Sequence, residues 1–175
     1  NSNQIQPASI TFYDSNNVII DNSTFEKNYE GDDYLNFFKS KNVLVNESLF
    51  KDVKNDAIDS DFSSIIIRNS FFINVGNDAV DGSGSQIQIN NCNFVSIYDK
   101  AISAGEQSNF SIYDVKITNS EIGIVSKDKS NIKINNTNFY KNKLDFASFI
   151  KKDFFGPSKA SFNNSIPKSY LIENG

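Results

Sequence analysis

Pairs of apolar residues separated by a single residue recur along the chain. Six such pairs stand seven and five positions before an aromatic or aliphatic residue, and they are Val18/Ile20, Val43/Val45, Ile65/Ile67, Ile87/Ile89, Phe110/Ile112 and Ile132/Ile134. The residues that follow them are Phe25, Phe50, Phe72, Phe94, Ile117 and Phe139. A period of two indicates strands with one buried side, whereas a helix would show a period of 3.6. The pattern predicts short strands in a repeat of about 22 residues.

Polar residues repeat with the same period. Three positions before each final apolar residue stand Asn22, Glu47, Asn69, Asn91, Asp114 and Asn136, and nine positions before the last four stand Ser63, Ser85, Ser108 and Ser130. Asn tolerates a left-handed backbone at a bend, and stacked amides can hydrogen-bond to each other. The polar columns therefore predict bends that lie one above another, with a structural role for Asn and Ser.

A repeat of this length that contains several strands predicts a solenoid. A leucine-rich repeat has a similar period, but leucine is scarce in this chain. We expect an all-β, right-handed parallel β-helix of about seven coils, in which equivalent residues stack about 4.8 Å apart. The predicted organisation is one domain over residues 1–175. Residues 1–8 form an N-terminal cap or linker, 9–162 the coils, and 163–175 a C-terminal cap or tail.

Composition excludes several classes of function. The net charge is −4 and the chain has a single arginine, Arg68, which argues against nucleic acid as a partner. The chain has no histidine, so a Ser-His-Asp triad cannot form. The single cysteine, Cys92, is expected to be a small buried residue. No segment is apolar enough to predict insertion into a membrane. The chain begins with Asn1, which suggests a piece of a longer protein.

The stretches DAIDSDFSSIIIRNSFF and DAVDGSGSQIQINNCNF, together with the stacked columns, resemble the right-handed parallel β-helix repeats of the pectate-lyase-like superfamily. They are also similar to β-helix modules of bacterial surface and secreted proteins. The resemblance covers roughly residues 9–162 and implies a secreted or cell-surface protein. That superfamily includes polysaccharide lyases, hydrolases, epimerases, adhesins and phage spikes, so the resemblance does not by itself give a function.

The resemblance also implies that a ligand would lie along the outer face of the first strand of each coil. The outward positions of that strand are expected to be Asp59, Asp81, Ser103 and Val125 in one column, and Asp61, Ser83, Gly105 and Lys127 in the next. The candidate binding residues on this face are Asp59, Asp61, Asp81, Ser83, Ser103, Glu106 and Lys127. Calcium is the one cofactor considered, because Asp59, Asp61 and Asp81 could supply oxygen ligands. In a lyase, Lys127 or Lys100 would be the base.

A structural interpretation of the same carboxylates is equally available. Asp and Asn accept hydrogen bonds from free backbone N–H groups at bends, and their recurrence favours Asp56 and Asp78 as turn formers. The run GSGS is interpreted as a tight bend. The lysines Lys127, Lys129, Lys151 and Lys152 are expected to be solvated. A hydrolase that uses Asp59 and Asp81, expected about 5 Å apart, is a third alternative.

The sequence favours a non-catalytic extracellular module. It would bind a polysaccharide or support a neighbouring domain of a larger surface protein, and Tyr98, Tyr113 and Tyr140 are candidates for stacking on sugars. The alternative is a calcium-assisted lyase or epimerase that acts on a uronate polymer. Because a β-helix has strand edges at both ends, self-association end to end is also expected where those ends are not capped.

Overall fold

The computed structural model describes residues 8–28 and 31–173, and every regular element in these residues is a strand. Coils 1 to 4 contain β1 (Ala8–Tyr13), β2 (Ile19–Asp21), β3 (Thr24–Glu26), β4 (Asp33–Phe38), β5 (Val43–Asn46), β6 (Leu49–Val53), β7 (Asp56–Asp61), β8 (Ser64–Arg68), β9 (Phe71–Val75), β10 (Val80–Ser83), β11 (Gln86–Asn90) and β12 (Asn93–Ile97). The remaining strands are β13 (Lys100–Gly105), β14 (Asn109–Tyr113), β15 (Lys116–Thr118), β16 (Ile122–Lys127), β17 (Asn131–Asn135), β18 (Asn138–Tyr140), β19 (Leu144–Phe149), β20 (Lys159–Asn163) and β21 (Tyr170–Ile172).

Parallel pairing joins every third strand into one of three sheets. The first sheet has the order β1-β4-β7-β10-β13-β16-β19-β21, the second β2-β5-β8-β11-β14-β17-β20, and the third β3-β6-β9-β12-β15-β18. Each of coils 1 to 6 thus contributes its first, second and third strand to a different sheet, and β21, the strand that directly follows β20 in the chain, belongs to the first sheet. The predicted all-β parallel β-helix of about seven coils is confirmed.

The core consists of the predicted apolar columns. The rings of Phe25, Phe50, Phe72 and Phe94 stack in a continuous row, with centroids 4.7, 4.8 and 4.8 Å apart. Stacked aromatic pairs stabilise a fold by about 1 kcal/mol beyond the area they bury. Cys92 is buried in the same core, and its burial raises the pKa of its thiol to about 12. The prediction that it is a packing residue is confirmed.

Each coil bends at residues with a left-handed backbone. The predicted column of Asn22, Glu47, Asn69, Asn91, Asp114 and Asn136 has φ angles of 45–53°. Amides connect members of this column, since Asn91 Nδ2 donates to Asn69 Oδ1 at 2.8 Å. A second left-handed column, which the sequence did not reveal, contains Lys27, Asp52, Asn74, Ser96, Asn119 and Lys141. Its residue types are too varied to form a recognisable motif.

The serine column is a buried hydrogen-bond ladder. The backbone N–H of Ser63 donates to Ser85 Oγ at 2.9 Å, and that of Ser85 donates to Ser108 Oγ at 3.0 Å. Ser108 continues the ladder to Ser130 Oγ at 3.2 Å. Each hydroxyl thus satisfies a buried N–H of the neighbouring coil, which would otherwise be costly. The predicted structural role of these serines is confirmed.

The last strand lies in the segment for which the sequence predicts a cap or tail. Strand β21 pairs in parallel with β19, and its three residues are exposed. The predicted N-terminal cap or linker, residues 1–8, falls almost wholly outside the described residues. Among the residues that the structure does describe, there is no helix long and apolar enough to cross a membrane.

Candidate binding face

The outer surface of the first sheet, called here the first-strand face, has the register that the sequence predicts. Asp81 pairs with Asp59 on one side and with Ser103 on the other. Ser83 likewise pairs with Asp61 and Gly105. Coil 2 extends the two columns with Asn36 and Phe38, and coil 6 extends the first of them with Val125. The candidate residues therefore lie on neighbouring strands of one surface.

The second half of this face, on coils 4 to 6, is covered, which the sequence did not predict. Ser103 and Val125 are fully buried, and Lys127 is 6% exposed, so the expectation that Lys127 is solvated was wrong. Its side chain lies flat against Gly105, where an added Cβ would come within 2.7 Å of Lys127 Cε. Lys127 Nζ donates to Ser103 Oγ at 2.9 Å and lies 3.7 Å from Asp81 Oδ1. Glycine at position 105 is what leaves room for the lysine.

Two further lysines pair with carboxylates in this half. Lys100 Nζ lies 3.1 Å from Asp78 Oδ1 and also contacts Asp99. Burial raises the pKa of Asp78 to about 6, and the ammonium of Lys100 opposes that rise. Burial likewise opposes ionisation of Lys100, but the two carboxylates raise its pKa overall. The side chain of Lys152 is exposed to solvent, as expected, but its Nζ forms an ion pair with Glu106.

The connection between β19 and β20 covers the last coils. Asp128 Oδ1 accepts the backbone N–H groups of Lys151 and Lys152 at 2.7 and 2.8 Å. Ser158 Oγ donates to the carbonyl of Ser126 at 2.9 Å. These contacts hold residues 151–158 against coil 6 and bring Lys152 to Glu106. The connection thus supplies a cation to the face from a distant part of the chain.

The first half of the face, on coils 1 to 3, has carboxyl groups that form no ion pair with a cation of the described residues. In the part of the chain that the structure describes, no lysine or arginine forms an ion pair with Asp33, Asp56, Asp59 or Asp61. Burial, followed by repulsion from neighbouring carboxylates, raises the pKa of Asp33 to about 8 and that of Asp56 to about 7. Burial, followed by repulsion from neighbouring carboxylates, also raises the pKa values of Asp59 and Asp61. Asn36 Nδ2 donates a hydrogen bond to Asp59 Oδ2 at 2.6 Å.

Two of the acidic residues have the predicted role in bends. Asp56 Oδ1 accepts the backbone N–H of Asp78 at 2.8 Å and Nδ2 of Asn77 at 2.6 Å. Asp78 Oδ1 accepts the backbone N–H of Lys100 at 3.0 Å. Each carboxylate thus holds the start of the next coil, and their interpretation as turn formers is confirmed. Gly84, within the GSGS run, has a φ of 61°, as a tight bend requires.

Exposed aromatic rings border the first half of the face. Tyr13 stacks on Phe38 with ring centroids 5.6 Å apart, and Phe62 meets Phe38 edge to face at 6.1 Å. Tyr13 is 66% exposed and Phe62 is 56% exposed. Lys39 Nζ lies 5.2 Å from the Phe38 ring centroid, so this ring already attracts an ammonium group. The rings follow or end the first strands of coils 1 to 3, beside Asp59 and Asp61.

These rings were not among the stacking residues predicted from the sequence, which were Tyr98, Tyr113 and Tyr140. Tyr113 lies in β14 of the second sheet and Tyr140 in β18 of the third, while Tyr98 directly follows β12. None of the three belongs to the first sheet. Tyr13 and Phe38 occupy the same column of the repeat, and that signal was present in the sequence. Phe62 stands one position after this column, so the repeat does not align it with Tyr13 and Phe38.

A separate shallow groove of about 660 Å³ lies on the second sheet. Its floor includes Leu44, Ile66, Gln88 and Ser111, which are paired neighbours on consecutive strands. Its lining contains no carboxylate, and its single charged residue is Arg68. The Arg68 guanidinium already donates to Asn46 Oδ1 at 2.9 Å. The groove therefore belongs to a different surface from the acidic residues.

No three His, Cys, Asp or Glu side chains within residues 8–28 and 31–173 are grouped so that they could hold a metal ion. Calcium binding by Asp59, Asp61 and Asp81 stays a prediction. Comparisons of the chain with protein-family models, with curated proteins and with solved structures find no match. The fold therefore defines the class of this protein, a parallel β-solenoid.

Proposed function

We propose that the first-strand face binds an extended glycan without cleaving it. The observation that carries this proposal is a row of aromatic rings beside the carboxyl groups of Asp59 and Asp61. Tyr13 and Phe62 are exposed, and the half-buried ring of Phe38 contacts both of them. The apolar face of a sugar can pack on an aromatic ring, while carboxylates accept hydrogen bonds from its hydroxyl groups. These two kinds of group stand side by side on coils 1 to 3.

The shape of the face favours a polymer over a compact ligand. Successive coils repeat every 4.8 Å or so along an open sheet, and the rings stand on three successive coils. An extended chain could therefore contact several equivalent positions at once. Secretion or surface display and membership of the pectate-lyase-like superfamily are parts of the same proposal, and they rest on the sequence resemblance.

The calcium-assisted lyase is the second candidate, and the contacts of its two lysines argue against it. Lys127 Nζ donates to Ser103 and faces Asp81, while Lys100 Nζ lies between Asp78 and Asp99. An amine that serves as a base must give up its positive charge and reach its substrate. Both amines instead contact carboxylates of the protein, and Lys127 is covered.

Binding and turnover can be tested in the same samples. We expect one polysaccharide of a broad panel to bind, with affinity lowered about tenfold in Phe62→Ala and in Tyr13→Ala, as loss of about 1.4 kcal/mol of stacking implies. Tyr140→Ala is the matched control, because Tyr140 is 54% exposed but lies on the third sheet. The measurement is titration calorimetry.

Two results would contradict the proposal. The first is that no polysaccharide binds, or that Tyr140→Ala weakens binding as much as Phe62→Ala does. The second is release of new reducing ends or unsaturated uronates from the bound polymer, with calcium present and not with chelator. Cleavage that disappears in Asp59→Asn would instead establish the lyase.

A further inference from the structure

The two halves of the first-strand face differ in whether their carboxylates form ion pairs with lysine. Three carboxylates of coils 4 and 5 each have a lysine ammonium, and the pairs are Asp78–Lys100, Asp81–Lys127 and Glu106–Lys152. On coils 2 and 3, the carboxyls of Asp33, Asp56, Asp59 and Asp61 have no such partner among the described residues. The fold therefore neutralises the carboxylates of one half with primary ammonium groups and leaves those of the other half without them.

Carboxyl groups that are crowded and partly buried favour the approach of a cation. Removal from water is the main cost of charge on Asp59 and Asp61, and repulsion from neighbouring carboxylates adds to it. Asp81 and Ser103, one and two strands further along the column of Asp59, hold the ammonium of Lys127 between them. That arrangement shows which group suits this surface: a primary ammonium that donates a hydrogen bond to a neighbouring hydroxyl group and lies within ion-pair distance of a carboxylate.

The aromatic rings occur on the half whose carboxyl groups have no ion-pair partner among the described residues. Phe38 and Phe62 border Asp59 and Asp61, and Lys39 already places its ammonium over the Phe38 ring. A ligand that satisfies both features needs a flat apolar face for the rings and a positive charge for the carboxylates. A sugar ring with a protonated amino group combines the two in one unit.

We propose that the ligand of coils 1 to 3 is a glycan of N-deacetylated amino sugars, whose ammonium groups bind at Asp59 and Asp61. This inference rests on the proposed function, because it specifies which glycan the face would take. It also makes polyuronates poor ligands, since their carboxylates would meet the carboxylates of the protein.

The experiment compares three hexasaccharides at pH 7 and low ionic strength by titration calorimetry. They are fully N-deacetylated chitohexaose, fully N-acetylated chitohexaose and hexagalacturonate. We expect the deacetylated hexamer to bind at least tenfold tighter than the acetylated one, and hexagalacturonate not to bind. In the Asp59→Asn/Asp61→Asn variant the tenfold preference should be lost, while binding of the acetylated hexamer is unchanged.

The control must separate a site from general attraction between a polycation and an acidic protein. The Asp52→Asn/Asp114→Asn variant makes the same change in net charge at bends on other surfaces, where Asp52 and Asp114 accept amide hydrogen bonds that Asn can also accept. It should retain the full preference. Equal loss in both double variants would overturn the inference.

The remaining outcomes distinguish the preference for amino sugars from glycan binding itself. Equal or tighter binding of the acetylated hexamer, sensitive to Phe62→Ala, would overturn the amino-sugar inference and leave glycan binding intact. Binding of hexagalacturonate alone would do the same. Failure of all three hexamers and of the polysaccharide panel would overturn both. Thermal unfolding of each variant confirms that the compared proteins are folded.

Discussion

Coils 3 and 5 carry different residues at the same two columns of the first sheet. As a result, the face is open at coil 3 and covered at coil 5. In coil 3 the columns carry Asp59 and Asp61, whose carboxyls lack an ion-pair partner among the described residues. In coil 5 they carry Ser103 and Gly105, and the side chain of Lys127 covers both. One coil thus leaves acidic groups available to a ligand, and the other uses small residues to seat an internal cation.

This difference arises from side chains that cross between coils. Lys127 belongs to coil 6 and reaches Ser103 in coil 5 and Asp81 in coil 4, along the axis of the helix. A lysine of this length can do so only where the intervening residue is small. On coils 2 and 3 the equivalent neighbours are Phe38 and Asp61, which leave no such path. The identity of a few small residues therefore decides which part of the face is open.

The largest expected effect comes from making a paired carboxylate resemble the unpaired ones. Lys100→Met removes the ammonium beside Asp78, a carboxylate that is 3% exposed. We expect the free energy of unfolding at pH 8 to fall by about 2 kcal/mol, as loss of one partner of a largely buried pair implies. The loss should be smaller at pH 5, because Asp78 has a pKa of about 6 and is then mostly neutral. Urea denaturation at the two pH values measures both.

Lys143→Met is the matched control for that change. Lys143 also forms an ion pair, with Glu121, but its side chain is 76% exposed. Exposed ion pairs contribute about 0.5 kcal/mol or less. Equal losses in the two methionine variants, or a loss in Lys100→Met that does not depend on pH, would show that the coil 4 pair is not held as we describe.

Removing the charge of a carboxyl group that has no ion-pair partner among the described residues should stabilise the protein. Asp33 has its pKa raised from its ordinary value to about 8, so the folded state binds more protons than the unfolded state between about pH 4 and pH 8, and stability falls as the pH rises through that range. Asp33→Asn removes this dependence. We expect a gain of about 1 to 2 kcal/mol at pH 8 after allowance for solvent screening, and a smaller gain at pH 5.

Thermal unfolding from pH 5 to pH 8 checks this second prediction, with Asp145→Asn as its control. Asp145 is also buried and near the start of a first strand, but its carboxylate accepts the backbone N–H of Lys168 at 2.8 Å and an amide of Asn142 at 3.1 Å. Its substitution should not stabilise. A gain in Asp145→Asn equal to that in Asp33→Asn would mean that the missing cation is not the cause.

The fold could be predicted from the sequence because the interactions that define it repeat. Phe72 stacks on Phe50 and Phe94, and the Asn69 bend stacks below that of Asn91, so each column records the same physical constraint several times. The register of the residues on the candidate face could be predicted for the same reason. The accessibility of the face could not, because no repeated pattern encodes it.

The missed features depend on single residues. Lys127 was expected to be solvated, since nothing in a sequence reveals that Gly105 leaves space beneath a lysine one coil away. Lys152 reaches Glu106 only through an irregular connection of the last coil. The aromatic row was missed because Phe62 is displaced by one position from Tyr13 and Phe38. Nonrepeating contacts of this kind require the three-dimensional positions of the atoms.

The smallest expected effect tests the role of the glycine itself. Gly105→Ala places a Cβ within 2.7 Å of Lys127 Cε, and the end of a flexible side chain can move aside. We expect a loss of about 1 kcal/mol, because Lys127 must leave Ser103 and Asp81 in part. In a Lys127→Ala background the same glycine substitution should be nearly neutral, and the double-mutant cycle measures this coupling. Additive losses would show that Gly105 matters for its backbone alone. Coupled losses would mean that a small residue under a lysine closes one half of the face, and that its absence leaves the other half open.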